Sequence, residues 1–252
     1  MNDHWNASLY DDKHRFVSDY GTALLDLLDV KEGEMILDLG CGTGALTEKI
    51  HRLGATVIGI DKSQNMIAMA KEKYPSLSFF VKDVTEMDYV ETFDAVFSNA
   101  VLHWVKDAEK ALQKIFQSLK RNGRFVAEFG GKDNIRSITS EIRVQFQERG
   151  LPWSDDRIPW YFPSIGEYTS LMEKVGFRVV FAAHFDRPTK LDGADGLKHW
   201  LAMFTGSIFD GVENELKEAI WTSVENRLQN TLYRDGQWTV DYKRIRVIGI
   251  KE

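Results

Sequence analysis

Short, β-branched apolar runs take turns along this chain with longer stretches that carry one apolar face. EMILDL (34–39) and ATVIGI (55–60) have the length and branching of buried strands, and between them ALTEKIHRL sets Leu46, Ile50 and Leu53 at helical spacing. That is a β-α-β unit. NMIAMAKEKY (65–74) predicts the next helix, LSFFV (77–81) the third strand and FDAVFSN (93–99) the fourth. In DAEKALQKIFQSLK (107–120), Ala111, Leu112, Ile115 and Leu119 share a face; the helix stops at RNG, and RFVAEF (124–129) reads as a fifth strand. SIGEYTSLMEKVGF (164–177) predicts a helix ending at Gly176, followed by a strand, RVVFAAHF (178–185), a long helical insertion and a last strand, YKRIRVIGI (242–250). Strands alternating with helices of this length predict a parallel sheet covered on both faces, with right-handed crossovers. The last strand predicts an antiparallel hairpin with its predecessor at the sheet edge, which makes the sheet mixed.

Composition narrows the setting. A chain of 252 residues with no linker, repeat or low-complexity tract builds one elaborated domain around one large core. The single cysteine, Cys41, excludes an internal disulfide, and with the polar start MNDHWNASLYDDKH it points to the cytoplasm. No apolar run is long enough to span a bilayer, so no membrane partner is expected. A net charge of -6 speaks against nucleic acid as a partner.

The chemistry begins at MILDLGCGTGAL (35–46). Gly40, Gly42 and Gly44 let the chain turn sharply and let a ligand touch the main chain, and a helix predicted to start near Gly42 would offer N–H groups and a positive dipole end to an anion. Asp61 closes the second strand, where an acid can accept both hydroxyls of a ribose. The ligand expected is a nucleoside with an anionic tail. Gly40, Gly42 and Ala45 also satisfy the dinucleotide pattern G-x-G-x-x-A. Three features favour S-adenosylmethionine over NAD. Asp38 precedes the first glycine by two residues, where it suits an amine better than a pyrophosphate. Asp83, after the third strand, can receive an adenine amino group, with the Val84 N–H for a ring nitrogen. DLGCGTGALTE holds no Lys or Arg to balance two phosphates. Asp38 has a second reading, as a cap on the loop's own N–H groups.

ILDLGCGTG, VIGIDKSQNMIAMAK, VKDVTEM and FDAVFSNAVLHWV resemble, in order and spacing, the successive cofactor motifs of class I S-adenosylmethionine-dependent methyltransferases, over about residues 35–130. PWYFPSIGEYTSLMEKVGF and VDYKRIRVIGIKE are similar to the small-molecule group that includes trans-aconitate methyltransferase, with malonyl-carrier-protein methyltransferase a more distant relative. The resemblance implies an α/β fold: a Rossmann-like seven-stranded mixed sheet in order 3-2-1-4-5-7-6, strand 7 antiparallel, with helices on both faces and a small helical cap. It divides the single domain into N-terminal lid helices (1–33), a cofactor-binding core (34–130) and substrate-cap insertions (131–175 and 186–239). It implies methyl transfer from S-adenosyl-L-methionine, with S-adenosyl-L-homocysteine as product, to a small-molecule substrate, foremost a carboxylate oxygen. Residue by residue, Gly40, Gly42 and Gly44 would cradle the methionine part, Asp61 and Lys62 frame the ribose, and Asp83 and Val84 read the adenine edge. Met66 would pack on adenine or lie in plain core. Asn99 and Ala100 would give main-chain contacts near the amino group.

Methyl transfer from a sulfonium is an in-line displacement, so the protein chiefly aligns the acceptor and excludes water. A carboxylate acceptor is ionised at neutral pH and needs no base; amines, phenols and carbon acids do. His103, in SNAVLHW after the fourth strand, is a candidate general base or hydrogen-bond donor, or else caps its own turn. Tyr10, in the N-terminal segment, is a candidate hydroxyl reaching the donor. No NPPY or DPPY follows the fourth strand, the one cysteine lies inside the glycine loop, and no His, Cys or carboxylate cluster has metal-ligand spacing, so no metal is expected. Trp153, Trp160, Tyr161, Phe162, Trp200, Phe204 and Phe209 suit either a pocket lining or a cap packing on itself. Arg136, Arg143 and Arg246 are candidates for holding a substrate carboxylate. Methylation of another O, N or C nucleophile, and a non-catalytic S-adenosylmethionine-binding module, stand as alternatives.

Overall fold

The computed structural model describes residues 23–252; Tyr10 and most of the expected N-terminal lid lie outside the described residues. Five strands run parallel: β1 (Met35–Leu39), β2 (Thr56–Asp61), β3 (Ser78–Val81), β4 (Phe93–Asn99) and β5 (Leu119–Gly130). β6 (Phe177–Lys190), β7 (Tyr233–Arg234) and β8 (Gln237–Lys251) complete the set. The order is β3-β2-β1-β4-β5-β8-β6, with β8 antiparallel to both neighbours and β7 pairing β8 alone. This is the expected Rossmann-like sheet, with β8 in the place of strand 7. β8 therefore sits inside the sheet rather than on its edge, and β6 and β8 are joined by helices instead of a tight turn. The hairpin that does exist is β7–β8, across Asp235 and Gly236 at φ 53° and 77°. Asp-Gly is the dipeptide that such a turn selects, and the sequence reading passed over it.

Period-two alternation on the central strands feeds two separate cores. On β4, Ala95 and Phe97 face one side and Val96 the other. On the first side, residues 23–28 form helical turns whose Leu24, Leu25 and Leu28 pack, with Leu46 and Ile50 of α1 (Ala45–Arg52), against Ile36, Val57 and Val126. On the second side, Ala111, Leu112 and Ile115 of α3 (Ala108–Ser118) meet Leu37, Leu39, Phe125 and Ala127. α2 (Gln64–Lys73) lies between β2 and β3, capped by Ser63. Covered on both faces, β1 and β4 can be apolar at nearly every position, which is why they stand out in the sequence.

A third core belongs to the cap. Ile138, Ile142 and Phe146 of α4 (Arg136–Glu148), Trp200 and Leu201 of α6 (Gly196–Phe204), and Ile220, Val224 and Leu228 of α7 (Asn214–Leu232) bury one another. Their floor is not helical. β6 and β8 stay paired beyond the sheet, from Asp186↔Lys243 to Lys190↔Thr239, and Trp238, Val240 and Tyr242 of that ribbon are buried in the cap. The sequence expectation ended the two strands near 185 and began the last at 242, because the polar residues between Trp238, Val240 and Tyr242 hid their alternation. α5 (Ile165–Val175) matches its signals: a capping box of Ser164 and Glu167 starts it and Gly176 at φ 119° ends it.

Candidate active site

A cavity of about 500 Å³ opens at the C-terminal ends of β1, β2 and β4, where open α/β sheets place ligands. Gly40, Gly42, Asp61, Lys62, Met66, Asp83, Val84, Asn99 and Ala100 all line it, so nine positions expected to meet one ligand come together. Asp38 and Gly44 do not line it.

The glycine loop is fastened to β2. The Gly40 and Cys41 N–H groups donate to the Ile60 carbonyl at 2.7 and 2.9 Å, and the Gly42 N–H donates to Asp61 Oδ2 at 3.0 Å. The expectation of a helix starting near Gly42 with N–H groups to offer is corrected here. α1 starts at Ala45, and these loop N–H groups hold the loop itself. Gly40, at φ 75°, has no room for a side chain, since an added Cβ would lie 2.0 Å from Val101 Cγ2. Gly42, at φ 54°, has nothing within 4 Å of that position, and its backbone faces the open cavity. Gly44 is the N-cap of α1 and packs on Phe79, away from the cavity.

The acids divide the work differently from one another. Asp61 holds Gly42 with one oxygen and the Ser63 N–H, at 2.8 Å, with the other. Asp83 caps a 3-10 turn, taking the Thr85 N–H and hydroxyl at 2.9 Å each, while its second oxygen pairs with Lys62 Nζ at 2.8 Å. Burial works against the Asp83 charge, but the Lys62 and Thr85 hydrogen bonds outweigh it and hold the carboxyl below its usual range. Lys62, expected beside the ribose, thus leans on the acid expected at the adenine; it is 67% exposed and able to swing out. Asp38 is 2% exposed and accepts the Thr47 hydroxyl at 2.6 Å, beneath the loop rather than in the cavity. Burial, opposed by that bond and reinforced by the charge of Asp61, raises its pKa to about 7. Met66 is buried on the apolar stripe of α2 and also lines the cavity. Ala100 sits in the left-handed region at φ 60°, and its N–H, expected at the ligand, donates instead to the Glu128 carbonyl at 2.7 Å.

Beside this cavity lies a second, of about 60 Å³, and Ala100 and Trp104 line both. His103, Trp160, Phe162, Trp200 and Phe204 are on its wall, with Asn134, Ile135, Tyr242 and Arg244. The aromatic residues of the cap divide accordingly. Trp104 lies edge-on to Trp160 at 5.5 Å, Trp160 stacks on Phe162 at 5.8 Å and Trp200 meets Phe204 at 5.1 Å around the second cavity. Trp153 and Phe209 pack on Phe146 in the cap core instead, and the Tyr161 hydroxyl donates to Glu167.

His103 sits at this junction in the 3-10 turn Leu102–Trp104. Its Nδ1 accepts the Gly130 N–H at 3.3 Å, which puts the proton of the neutral ring on Nε2. Burial first, and the charge of Arg244 second, hold the imidazole well below its ordinary pKa. The ring is therefore neutral and its second nitrogen is a donor.

Of the arginines expected to hold a substrate, Arg136 and Arg143 are exposed, Arg136 pairing with Asp133, and Arg246 is bound to Glu128 at 2.5 and 2.8 Å. None lines either cavity. Arg244, which sequence reasoning missed, does. Only the strand register separates it from Arg246, and neighbouring arginines on one strand look alike in a sequence. Among the described residues no group of three or more His, Cys, Asp or Glu is placed to hold a metal ion, and no helix is long and apolar enough to cross a membrane.

Residues 37–127 match the family described as methyltransferase domain. An uncharacterised methyltransferase of Schizosaccharomyces pombe is 32% identical over 99% of both chains. A trans-aconitate 2-methyltransferase of Variovorax paradoxus is 25% identical over 98% of both. Among solved structures, a protein of Bacillus halodurans described as a putative methyltransferase superposes with a TM-score of 0.65 at 14% identity, covering 91% of this chain and 97% of the other.

Proposed function

This chain belongs to the class I S-adenosylmethionine-dependent methyltransferases, and we propose that within that family it methylates a carboxylate oxygen of a small organic acid. The larger cavity fits the cofactor: it has the volume for a nucleoside with an amino-acid tail, a bare glycine backbone at Gly42 and an acid at the end of each of β2 and β3. Gly40 and Gly42 would hold the methionine part, Asp61 the ribose and Met66 a face of the adenine, whose edge Asp83 and the Val84 N–H would read once Lys62 swings out. Asp38 would act from beneath the loop, through its bond with Thr47 at the start of α1. Bound there, S-adenosylmethionine supplies a methyl group on a positively charged sulfur. The single-domain reading goes with this one: the sheet holds the cofactor and the cap, with its β6–β8 floor, holds the acceptor.

One observation carries the acceptor class. Among the described residues, the second cavity has no Asp or Glu, and its one imidazole presents a protonated nitrogen. An amine, phenol or carbon acid would have to lose a proton there with no carboxylate among the described residues to take it, whereas a carboxylate arrives ionised. His103 then orients an acceptor oxygen as a donor, and the surrounding rings exclude water from an anion meeting a cation. The similarity to a trans-aconitate methyltransferase agrees with this choice.

The test is a panel of small mono-, di- and tricarboxylic acids, phenols and amines, incubated with protein and methyl-labelled donor. At least one acid should give labelled product that base releases, as a methyl ester does, and the phenols and amines should give none. Base-stable product, or turnover of neutral acceptors alone, would overturn the carboxylate assignment and leave the family intact.

A further inference from the structure

We infer that Asn134 is a further acceptor-binding residue, whose side-chain amide donates to an oxygen of the acceptor carboxylate in the second cavity, beside His103. This rests on the acceptor reading above and deepens it. Asn134 is 4% exposed and lines that cavity. Chemistry tells the two ends of its amide apart. Oδ1 accepts the Lys243 N–H at 2.9 Å, and a backbone N–H can bond only to the carbonyl end, so Nδ2 is the end turned away from β8. Among the described residues, the buried side-chain nitrogens and oxygens without a partner are Trp221 Nε1 and Asp241 Oδ1. Asn134 Nδ2 is not sealed in as they are; it opens on the cavity that its side chain lines.

Gly130, the last residue of β5, brings this nitrogen to His103. Its N–H donates to His103 Nδ1, and a Cβ added to it would lie 3.0 Å from Asn134 Nδ2 and 2.6 Å from Phe162 Cε1. Amide, imidazole and phenyl ring therefore crowd one residue, and a side chain there would push them apart. Phe162 in turn stacks on Trp160 at 5.8 Å and on His103 at 5.9 Å, with interplanar angles of 14° and 28°. Asn134 Nδ2–H and His103 Nε2–H thus stand as two donors at a wall of near-parallel rings. That arrangement fits a flat anion, whose oxygens take hydrogen bonds strengthened by its charge and by the low local dielectric.

The backbone is strained to hold the amide there. Asp133 and Ile135, on either side of Asn134, sit at φ 63° and 53°. Aspartate tolerates that conformation, but for a β-branched residue it is an outlier of the kind that collects at ligand sites. The turn is laced to β8 by its main chain. The Gly131 N–H donates to the Lys243 carbonyl at 3.0 Å, the Asn134 N–H to the Gly131 carbonyl at 3.0 Å and the Ile135 N–H to the Asp241 carbonyl at 3.1 Å. With Lys243 also bonded to Oδ1, the amide is fixed at both its backbone and its carbonyl end. Only its nitrogen is left to face the cavity.

Calorimetry on the full chain saturated with S-adenosylhomocysteine tests the assignment, using three pairs of an acid and its amide: acetate and acetamide, butyrate and butyramide, benzoate and benzamide. At least one acid should bind the wild type. Asn134→Leu removes the donor without adding charge and should weaken that acid about tenfold or more, as expected for a hydrogen bond to a charged group. Asn134→Asp keeps an oxygen for the Lys243 N–H, and with it the turn, but sets an acceptor where the donor stood. It should lose the acid and bind the matching amide more tightly than the wild type does, a gain that repulsion from a distance would not produce. Binding of S-adenosylhomocysteine by each variant reports that it has folded, and Asn134→Asp carries the test if the Leu variant does not. Undiminished acid binding by a folded Asn134→Leu, an Asn134→Asp variant that gains no amide, or no acid bound by the wild type would overturn the assignment. The two readings fail separately. Acids held through Asn134 but never esterified would sink the ester reading alone; an ester formed by Asn134→Leu at unchanged KM would sink the role of Asn134 alone.

Discussion

Replacing Asp61 with Ala should weaken S-adenosylmethionine binding by roughly 10- to 100-fold, on the order of 1.5–3 kcal/mol, the range for hydrogen bonds to a charged group. Two losses add in the same direction. The proposed ribose contacts disappear, and the glycine loop loses its tether, because Asp61 also holds the Gly42 and Ser63 N–H groups. The strand itself should survive, since Asp61 is the last residue of β2 and the Gly40 and Cys41 N–H groups still donate to Ile60. Titration calorimetry gives the affinity and thermal unfolding the fold. Wild-type affinity in a folded variant would mean that Asp61 serves the loop alone.

Glu128→Ala should cost about 3–5 kcal/mol of folding stability, the usual consequence of removing one partner from a buried ionic cluster. Glu128 is 3% exposed and lies between Arg187 and Arg246, both mostly buried and both stacked near Phe185. Without the carboxylate, two guanidinium groups face each other over the sheet with no counter-charge from Glu128. The effect belongs to stability rather than to cofactor contacts, because the bond from Ala100 is to the Glu128 carbonyl and outlasts the side chain. Urea unfolding measures the loss. Coupling to Arg246→Met in the same background should return part of it, since one stranded charge is then gone. A loss under about 1 kcal/mol would mean that the cluster is already well solvated.

The lining of the larger cavity was legible because it sits where the sequence grammar is strict. A strand that is apolar over most of its length ends near an acid, an amide or a glycine, so Gly40, Asp61, Asp83 and Asn99 mark both the strand ends and the lining of the larger cavity. What the sequence did not disclose was which partner each polar group would choose. Asp83 takes Thr85 and Lys62, Ala100 takes Glu128, and the loop amides take Ile60, all through local geometry that spacing does not encode. The acceptor half was harder for a different reason. Trp160 and Trp153 lie in one short segment, yet one lines the second cavity and the other packs on Phe146. Arg244 and Arg246 share a strand face, yet Arg246 pairs with Glu128 on β5 and Arg244 lines the second cavity. Such distinctions depend on register over long sequence separations, between 128 and 246 and between 103 and 130.

That the acceptor arrives as an anion and needs no base is tested most directly by the pH dependence of single-turnover methyl transfer to the best acid of the panel. The wild-type rate should stay level between about pH 6 and pH 9, where a carboxylate is fully ionised, and His103→Gln should lower it modestly while keeping the same level profile. A rate that climbs with pH in the wild type, and whose limb vanishes in His103→Gln, would make the imidazole a general base and contradict the carboxylate acceptor.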